Sequence, residues 1–459
     1  MRSLATFTRI LIILLSIAST ASPDEGKSET YSLRSARTVG QIDQVNARLD
    51  VQGDKIEKAG PKGEKTEKTP MSIACLRDYD EKTLVLGDGT AKPLQAFRYY
   101  NEASATVKVG DSVQKPALRP EYRLAAVTIS GSKVVSVCPT GPLYEDELEL
   151  MNAFGNSLPL DGLLPQDPVA IGQAWKAGDG LMAILLDLEE VTSSTARVTL
   201  KEVTADVARL ELEGRVEGKY YGEATRIDLR AKCRFDRKIH RIDWFAMRVK
   251  QSHDVGIVEA GLDVTVLLQM KIAPKDSSER LSDAALKDLS PEATAARCRV
   301  IHESTEGGWS IAHDRSWFGH LHTRDLDVFN RVEQGQHIAL CKISRLSKSD
   351  PAKWPSLSQY QDEIREALKG KADAIVEAAE ISQAGHHGYR VIAKGTDNDQ
   401  PTQWHYYLVT DAKGRQMALV FHIDEKQIEA FGRAGDELVE SLRFVEKKAT
   451  DSGQPAAGK

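Results

Sequence analysis

Histidines and aspartates that could bind a metal are concentrated between residues 313 and 327 (HDRSWFGHLHTRDLD). Side chains alternate along a β-strand, so His320 and His322 would point to the same face if this segment is a strand. Two imidazoles placed in this way could bind a zinc or copper ion, with Asp325 or His313 as a further ligand. The segment has no third ligand at a defined spacing and no HExxH motif, which favours an exposed polar loop. The sequence therefore assigns no metal site. A metal-dependent enzyme or metal-binding protein that uses His320 and His322 is the alternative.

Two further groups of residues resemble functional sites but lack what the chemistry needs. Gly110-Asp111-Ser112 resembles the nucleophile block of one lipase class, in which a histidine oriented by an acid must activate the serine. That class has an Asp-x-x-His motif, and no histidine of this chain has an aspartate three residues before it. The block therefore predicts a turn before a strand. The pair His386-His387, flanked by Gly385 and Gly388, predicts a surface turn.

The composition limits the function further. The chain has 459 residues, 41% hydrophobic and 28% charged residues, and a formal net charge of −6. These values are typical of a soluble protein with several domains. An acidic chain without clustered Lys and Arg is not expected to bind nucleic acid. It also contains no GxSxG motif, P-loop or GxGxxG motif. We therefore predict no catalytic residues and no cofactor, and favour a non-enzymatic protein.

The first 21 residues predict a signal peptide. Arg2 and Arg9 provide a basic start, residues 10–17 form a short apolar core, and Ser19-Thr20-Ala21 offers small residues for cleavage. The apolar core is shorter than the roughly 20 residues that a membrane span requires. We therefore expect export to a periplasm or to the cell exterior, with no stable membrane span after cleavage.

Strand-like alternation dominates the residues that follow. The predicted organisation is a loose segment at 22–38, a β-rich region at 39–143, a helix and linker at 144–168, a second β-rich region at 169–273, a linker at 274–297, an α+β domain at 298–445 and a disordered tail at 446–459. Because no long helical pattern interrupts the strands, the sheets should be antiparallel. Residues 54–70 are charged and contain Pro and Gly, which predicts a long solvated hairpin loop.

The two β-rich regions share a short motif. Residues 47–53 (ARLDVQG) resemble residues 208–214 (ARLELEG), and Cys75 and Cys233 follow at comparable positions. The motif predicts a strand with an apolar inner face that ends at the glycine. It is explained either by an internal duplication or by chance similarity between two ordinary strands. A duplication implies paired half-barrels, each a curved antiparallel sheet, which resemble the LolA/LppX-type half-barrels of exported bacterial proteins.

The C-terminal region shows a different order of elements: strands, a helix, a three-stranded meander and a second helix. Ser356 and Gln359 form a capping box that starts the first helix, and the second helix starts at Asp424 and is interrupted near Gly432. The aromatic and glycine positions of this region are Trp317, Gly388-Tyr389, residues 404–407 (WHYY), Gly414 and residues 441–444 (SLRF).

With these residues the region resembles the PsbP-like fold, which includes DcrB-like bacterial proteins. In that family a Pro-x-x-Trp motif usually follows the first hairpin, whereas this chain has Asp314-Arg-Ser-Trp317, without the proline. The resemblance implies an adaptor, assembly factor or accessory subunit and carries over no site residue. The expected partner is another envelope or secreted protein, or an apolar small molecule held in a half-barrel cavity.

Five cysteines leave at least one thiol unpaired in any disulfide scheme. Pairing within regions would join Cys75 to Cys138 and Cys298 to Cys341, leaving Cys233 free. The alternative is reduced cysteines buried in strand cores.

Overall fold

The computed structural model describes residues 29–59, 65–87, 92–256, 260–348, 354–383 and 385–445. The predicted signal peptide and the predicted tail at 446–459 lie outside the described residues, as does the start of the segment 22–38. Among the described residues, no helix has both the length and the apolar character needed to cross a membrane.

Antiparallel strands account for most of the N-terminal part. Its strands are β1 (Thr30–Tyr31), β2 (Ile42–Ala59), β3 (Lys65–Val85), β4 (Leu94–Val109), β5 (Ser112–Gln114), β6 (Leu124–Ser130), β7 (Lys133–Val137), β8 (Leu143–Tyr144), β9 (Val169–Ala170), β10 (Ala174–Lys176), β11 (Glu190–Ser194), β12 (Arg197–Val203), β13 (Val207–Tyr220), β14 (Glu223–Asp236), β15 (Arg241–His253) and β16 (Gly261–Lys275). Its helices are α1 (Glu145–Asn152), α2 (Asp179–Leu186), α3 (Asp283–Leu286) and α4 (Ala295–Cys298).

Both β-rich regions belong to one sheet. The described part of this sheet has 13 strands in the order β10-β12-β13-β14-β15-β16-β2-β3-β4-β6-β7, with β11 beside β13 and β5 beside β4. The two regions join where β16 pairs with β2 from Ile56↔Gly261 to Ile42↔Lys275. The expectation of two separate half-barrel sheets therefore differs from the structure, because the pairing of β2 with β16 makes the sheet continuous.

The charged segment 54–70 is more ordered than predicted. β2 and β3 remain paired up to Ala59↔Lys65, so only residues 60–64, which lie outside the described residues, connect the two strands. The prediction of a long loop was wrong because it considered only how little apolar surface this charged segment could bury. Backbone hydrogen bonds of an antiparallel ladder extend this hairpin beyond the buried part of the sheet.

The repeated motif occupies equivalent places in the sheet. Leu49 of β2 lies opposite Cys75 of β3, and its counterpart Leu210 of β13 lies opposite Cys233 of β14. The two motif glycines lie inside β2 and β13 and do not end these strands, contrary to the expectation. An equal register in both hairpins supports the duplication over chance similarity.

Gly53 of β2 packs against the junction between the two regions. A Cβ atom at this position would lie 2.1 Å from the backbone oxygen of Asp263 on β16. We predict that Gly53→Ala lowers the free energy of unfolding by about 1–3 kcal/mol, because the neighbouring backbone must shift. A urea titration measures this loss. Gly141→Ala is the matched control, since no atom lies within 4 Å of its added Cβ. Equal midpoints for both variants would contradict the prediction.

The apolar face of the large sheet is covered by the chain itself. Leu150 and Met151 of α1, Met182 of α2 and Leu160 of a 3-10 turn (Leu158–Leu163) belong to the same buried cluster as the inward side chains of the strands. These helices and the 3-10 turn therefore pack on the inward side chains of the strands.

A charged network is buried at one end of this core. The Glu81 carboxylate, 1% exposed, accepts hydrogen bonds from Arg98 Nε and Ser157 Oγ, each at 2.8 Å. Arg98 is 2% exposed and also donates to Asn156. Arg37 Nη1 lies 3.6 Å from the other Glu81 oxygen. The network connects β3 and β4 to the segment that covers the sheet.

The C-terminal domain contains two sheets. Its strands are β17 (Val300–Ser304), β18 (Trp309–His313), β19 (Trp317–His322), β20 (Leu326–Glu333), β21 (Gln336–Leu346), β22 (Ala372–Gln383), β23 (His386–Asp397), β24 (Gln400–Thr410), β25 (Gln416–Asp424) and β26 (Arg443–Phe444). Its helices are α5 (Leu357–Ala367), α6 (Ile428–Phe431) and α7 (Ala434–Ser441). The sheets have the orders β26-β18-β17-β8 and β19-β20-β21-β25-β24-β23-β22.

The capping box and the helix interruption predicted for this domain are confirmed, whereas the strands β19, β20, β22 and β26 were not predicted. Ser356 and Gln359 form the capping box of α5, and Gly432, with φ +50°, separates α6 from α7. β22 is a fourth strand beside the predicted three-stranded meander. Its alanines and glutamates do not resemble a strand, so its pairing with β23 overrides local propensity.

All five cysteines are free thiols, which contradicts the predicted pairs Cys75–Cys138 and Cys298–Cys341. Four of them are buried and Cys298 is partly exposed, in agreement with the alternative of reduced cysteines in strand cores.

Candidate metal centre

Three elements of the C-terminal domain bring a group of polar side chains together. His302 lies on β17, in the four-stranded sheet, and His322 and Asp327 lie on β19 and β20, in the seven-stranded sheet. His322 and Asp327 are direct partners in the β19–β20 ladder. The site therefore lies between the two sheets and contains residues from both.

His302, His322 and Asp327 are arranged as metal ligands would be. One ligand atom of each residue lies within 4.8 Å of those of the other two. His322 Nδ1 is 2.7 Å and His302 Nε2 is 3.8 Å from the same oxygen, Asp327 Oδ1. The two imidazole rings stack with centroids 4.6 Å apart. Two imidazoles and a carboxylate form a ligand set that suits zinc and related divalent transition metals.

The His302 ring leaves one nitrogen without a partner. His302 is only 8% exposed, and its buried Nε2 atom makes no hydrogen bond to any part of the chain that the structure describes. An unsatisfied buried polar atom costs free energy, so such atoms are rare and call for an explanation. A cation bound between His302, His322 and Asp327 would provide the missing partner.

Glu145, the first residue of α1, contacts two histidines at once. Its carboxylate lies 3.1 Å from His302 Nδ1 and 3.3 Å from His313 Nε2. Burial by itself raises the pKa of Glu145, but hydrogen bonds from His302 and His313 outweigh burial and lower the pKa to about 2. Glu145 is therefore ionised at neutral pH and accepts hydrogen bonds from both imidazoles.

Residues 317–322 form the strand β19 and not the exposed polar loop that the sequence favoured. The strict alternation on which the alternative pair His320 and His322 relied is also interrupted. The β19–β20 register shifts between Gly319 and Leu321, so His320 is the extra residue of a β-bulge. A bulge interrupts the alternation of side chains along a strand. His322 instead joins His302 and Asp327, whereas Asp325 is exposed and lies outside the cluster.

The other residues singled out from the sequence are not part of this site. Gly110 and Asp111 form the predicted turn, and Ser112 is the first residue of β5. His386 Nε2 donates to the Leu442 backbone oxygen at 3.2 Å, and the His387 ring contacts the Trp354 ring with centroids 4.9 Å apart. The prediction of a surface turn was wrong for this pair, because both histidines belong to β23, directly after a turn at Gly385.

Neither His302 nor Glu145 belongs to a recognisable ligand motif in the sequence. His302 lies in a segment predicted as a strand at 298–303, two residues after Val300 and therefore on the same face. The sequence feature that could have identified His302 is a polar histidine on the apolar face of a predicted strand. Glu145 gave no signal, because acidic residues are ordinary in the first turn of a helix.

Comparisons with known proteins do not identify the chain. No family model and no curated protein matches it. Among solved structures, cyanobacterial PsbP (CyanoP) from Synechocystis sp. PCC 6803 is 13% identical, with 34% of this chain and 97% of that chain covered and a TM-score of 0.26. The Saccharomyces cerevisiae Ran-binding protein Mog1p is 9% identical, with coverages of 32% and 96% and a TM-score of 0.26.

MucB, in a complex with MucA(peri), is 11% identical, with coverages of 88% and 94% and a TM-score of 0.18. The resemblance to PsbP-like proteins thus corresponds to a weak structural similarity over about a third of the chain. Similarities of this strength identify neither the function nor the partner.

Proposed function

We propose that this protein binds a divalent transition metal, with zinc as the first candidate, at His302, His322 and Asp327. The observation that carries the proposal is the buried His302 Nε2 atom, which has no partner and lies 3.8 Å from Asp327 Oδ1. Neutral imidazole nitrogens and a carboxylate are ligands that zinc prefers. The proposal develops the metal-binding alternative of the sequence analysis with a different set of ligands.

Titration of metal-free protein with Co²⁺ tests the proposal, because Co²⁺ replaces Zn²⁺ in such sites and absorbs visible light. We expect one Co²⁺ per chain, displaced by Zn²⁺. His322→Ala and Asp327→Asn should abolish this binding. His387→Ala is the matched control, since it removes an exposed imidazole far along the chain and should bind as the unmodified protein does. Circular dichroism verifies that each variant is folded.

Two outcomes would overturn the proposal. A folded protein that binds neither Co²⁺ nor Zn²⁺ has no metal site. Equal binding by the unmodified protein and by His322→Ala would place the metal elsewhere. Export and a protein partner stay predictions, which rest on residues 1–21 and on the order of elements in the C-terminal region.

A further inference from the structure

A short strand of the N-terminal part brings Glu145 to the metal centre. β8 pairs in parallel with β17, so that Leu143 lies opposite Val300 and Tyr144 lies opposite Ile301. Glu145 follows directly and starts α1, next to His302 on β17. The carboxylate therefore reaches the site from a part of the chain that is distant in sequence from the three proposed ligands.

The contacts of Glu145 determine how the His302 ring is oriented. When His302 Nδ1 donates its hydrogen to Glu145 at 3.1 Å, the lone pair of Nε2 faces Asp327. The second Glu145 oxygen lies 3.3 Å from His313 Nε2. The opposite nitrogen of His313 lies 2.7 Å from the Asp314 backbone oxygen, and His313 is 3% exposed. Glu145 is thus held by one buried histidine while it orients another.

We infer that Glu145 is a positioning residue of the metal centre and that, through it, metal binding and the docking of α1 on the C-terminal domain stabilise each other. This inference rests on the proposed function. Histidines that bind metals commonly donate their second nitrogen to a carboxylate, and loss of that carboxylate weakens metal affinity by about 10- to 100-fold. A coupling between two binding events is reciprocal, so the metal must stabilise the docked helix by the same factor.

The helix α1 connects this site to the large sheet. Leu150 and Met151 of α1 are buried in the core of the 13-stranded sheet. Arg119 donates to Glu147 of α1 at 2.6 Å and stacks on the Tyr144 ring, 3.6 Å from its centroid. A metal that holds Glu145 through His302 therefore also holds the sheet against the C-terminal domain.

Two measurements on the full chain test the inference. The first is the Co²⁺ affinity of the unmodified protein, Glu145→Ala and Glu145→Gln. We expect the alanine variant to bind about 10- to 100-fold more weakly. The glutamine variant should recover much of the affinity, because its amide oxygen still accepts the hydrogen of His302 Nδ1. Glu149→Gln, on the exposed side of the same helix, is the control and should bind as the unmodified protein does.

The second measurement is amide hydrogen exchange of residues 143–152 with and without saturating Zn²⁺. We expect Zn²⁺ to slow exchange in the unmodified protein and to have no effect on this segment in Glu145→Ala, although that variant is saturated. Equal Co²⁺ affinity in Glu145→Ala, or equal protection of the segment by Zn²⁺, would overturn the inference and leave the metal site intact. Failure of the unmodified protein to bind any metal would instead overturn the proposed function.

Discussion

Free Zn²⁺ at 100 times its dissociation constant is expected to raise the free energy of unfolding by about 2.7 kcal/mol. The reason is mass action, since the ion binds the folded chain, in which His302 and His322 meet, and not the unfolded chain. Thermal unfolding followed by circular dichroism, at a series of Zn²⁺ concentrations, measures the effect. At concentrations above the dissociation constant, the free energy of unfolding should increase in proportion to the logarithm of the Zn²⁺ concentration.

Two controls separate this effect from general stabilisation by cations. Mg²⁺ prefers oxygen ligands and octahedral geometry, so it should leave the unfolding temperature unchanged. His322→Ala should unfold at the same temperature with and without Zn²⁺. A Zn²⁺ response that survives in this variant would show that the stabilisation comes from other residues.

The second large effect is expected at the buried charged network of the large sheet. Glu81→Gln keeps the size of the side chain but removes the charge that faces Arg98 and Arg37. Leaving a buried cation without its partner typically costs about 3–5 kcal/mol, a substantial part of the 5–15 kcal/mol that stabilises most domains. Urea unfolding should show a lower midpoint with an unchanged slope, which indicates a loss of stability without a change of the exposed area.

A matched control lies on the same sheet. Arg215 and Asp228 form an ion pair at 2.8 Å with side chains 55% and 51% exposed. Because solvent screens exposed ion pairs, Asp228→Asn should lower the free energy of unfolding by less than about 1 kcal/mol. If Glu81→Gln lowers the free energy of unfolding by no more than Asp228→Asn does, the buried network contributes no more to stability than an exposed ion pair.

Local patterns in the sequence predict much of the fold. Alternating apolar residues identify most strands, and Ser356 and Gln359 identify the start of α5, because these signals depend only on neighbouring residues. β22 was missed because its pairing with β23 acts against the preference of its own residues. The continuity of the large sheet was missed because pairing between β2 and β16 depends on long-range contacts.

The candidate site depends on such long-range contacts to a greater degree. Only His322 of the three proposed ligands was singled out as a ligand from the sequence. Asp327 reaches it across the β19–β20 ladder, His302 through the meeting of two sheets, and Glu145 through the pairing of β8 with β17. The alternative pair His320 and His322 relied on strict strand alternation, which a one-residue β-bulge at His320 interrupts, and no sequence pattern marks this bulge.

The pairing of β2 with β16 has a consequence for the way in which the protein reaches its folded state. β2 has 18 residues and is among the first strands to be synthesised, whereas its partner ends only at residue 275. Pairing between distant segments slows folding, and a strand edge that waits for its partner can pair with other chains and aggregate. The end of β2 carries Asp54, Lys55, Glu57 and Lys58. These charges oppose aggregation at the open edge during the interval in which the rest of the sheet is made.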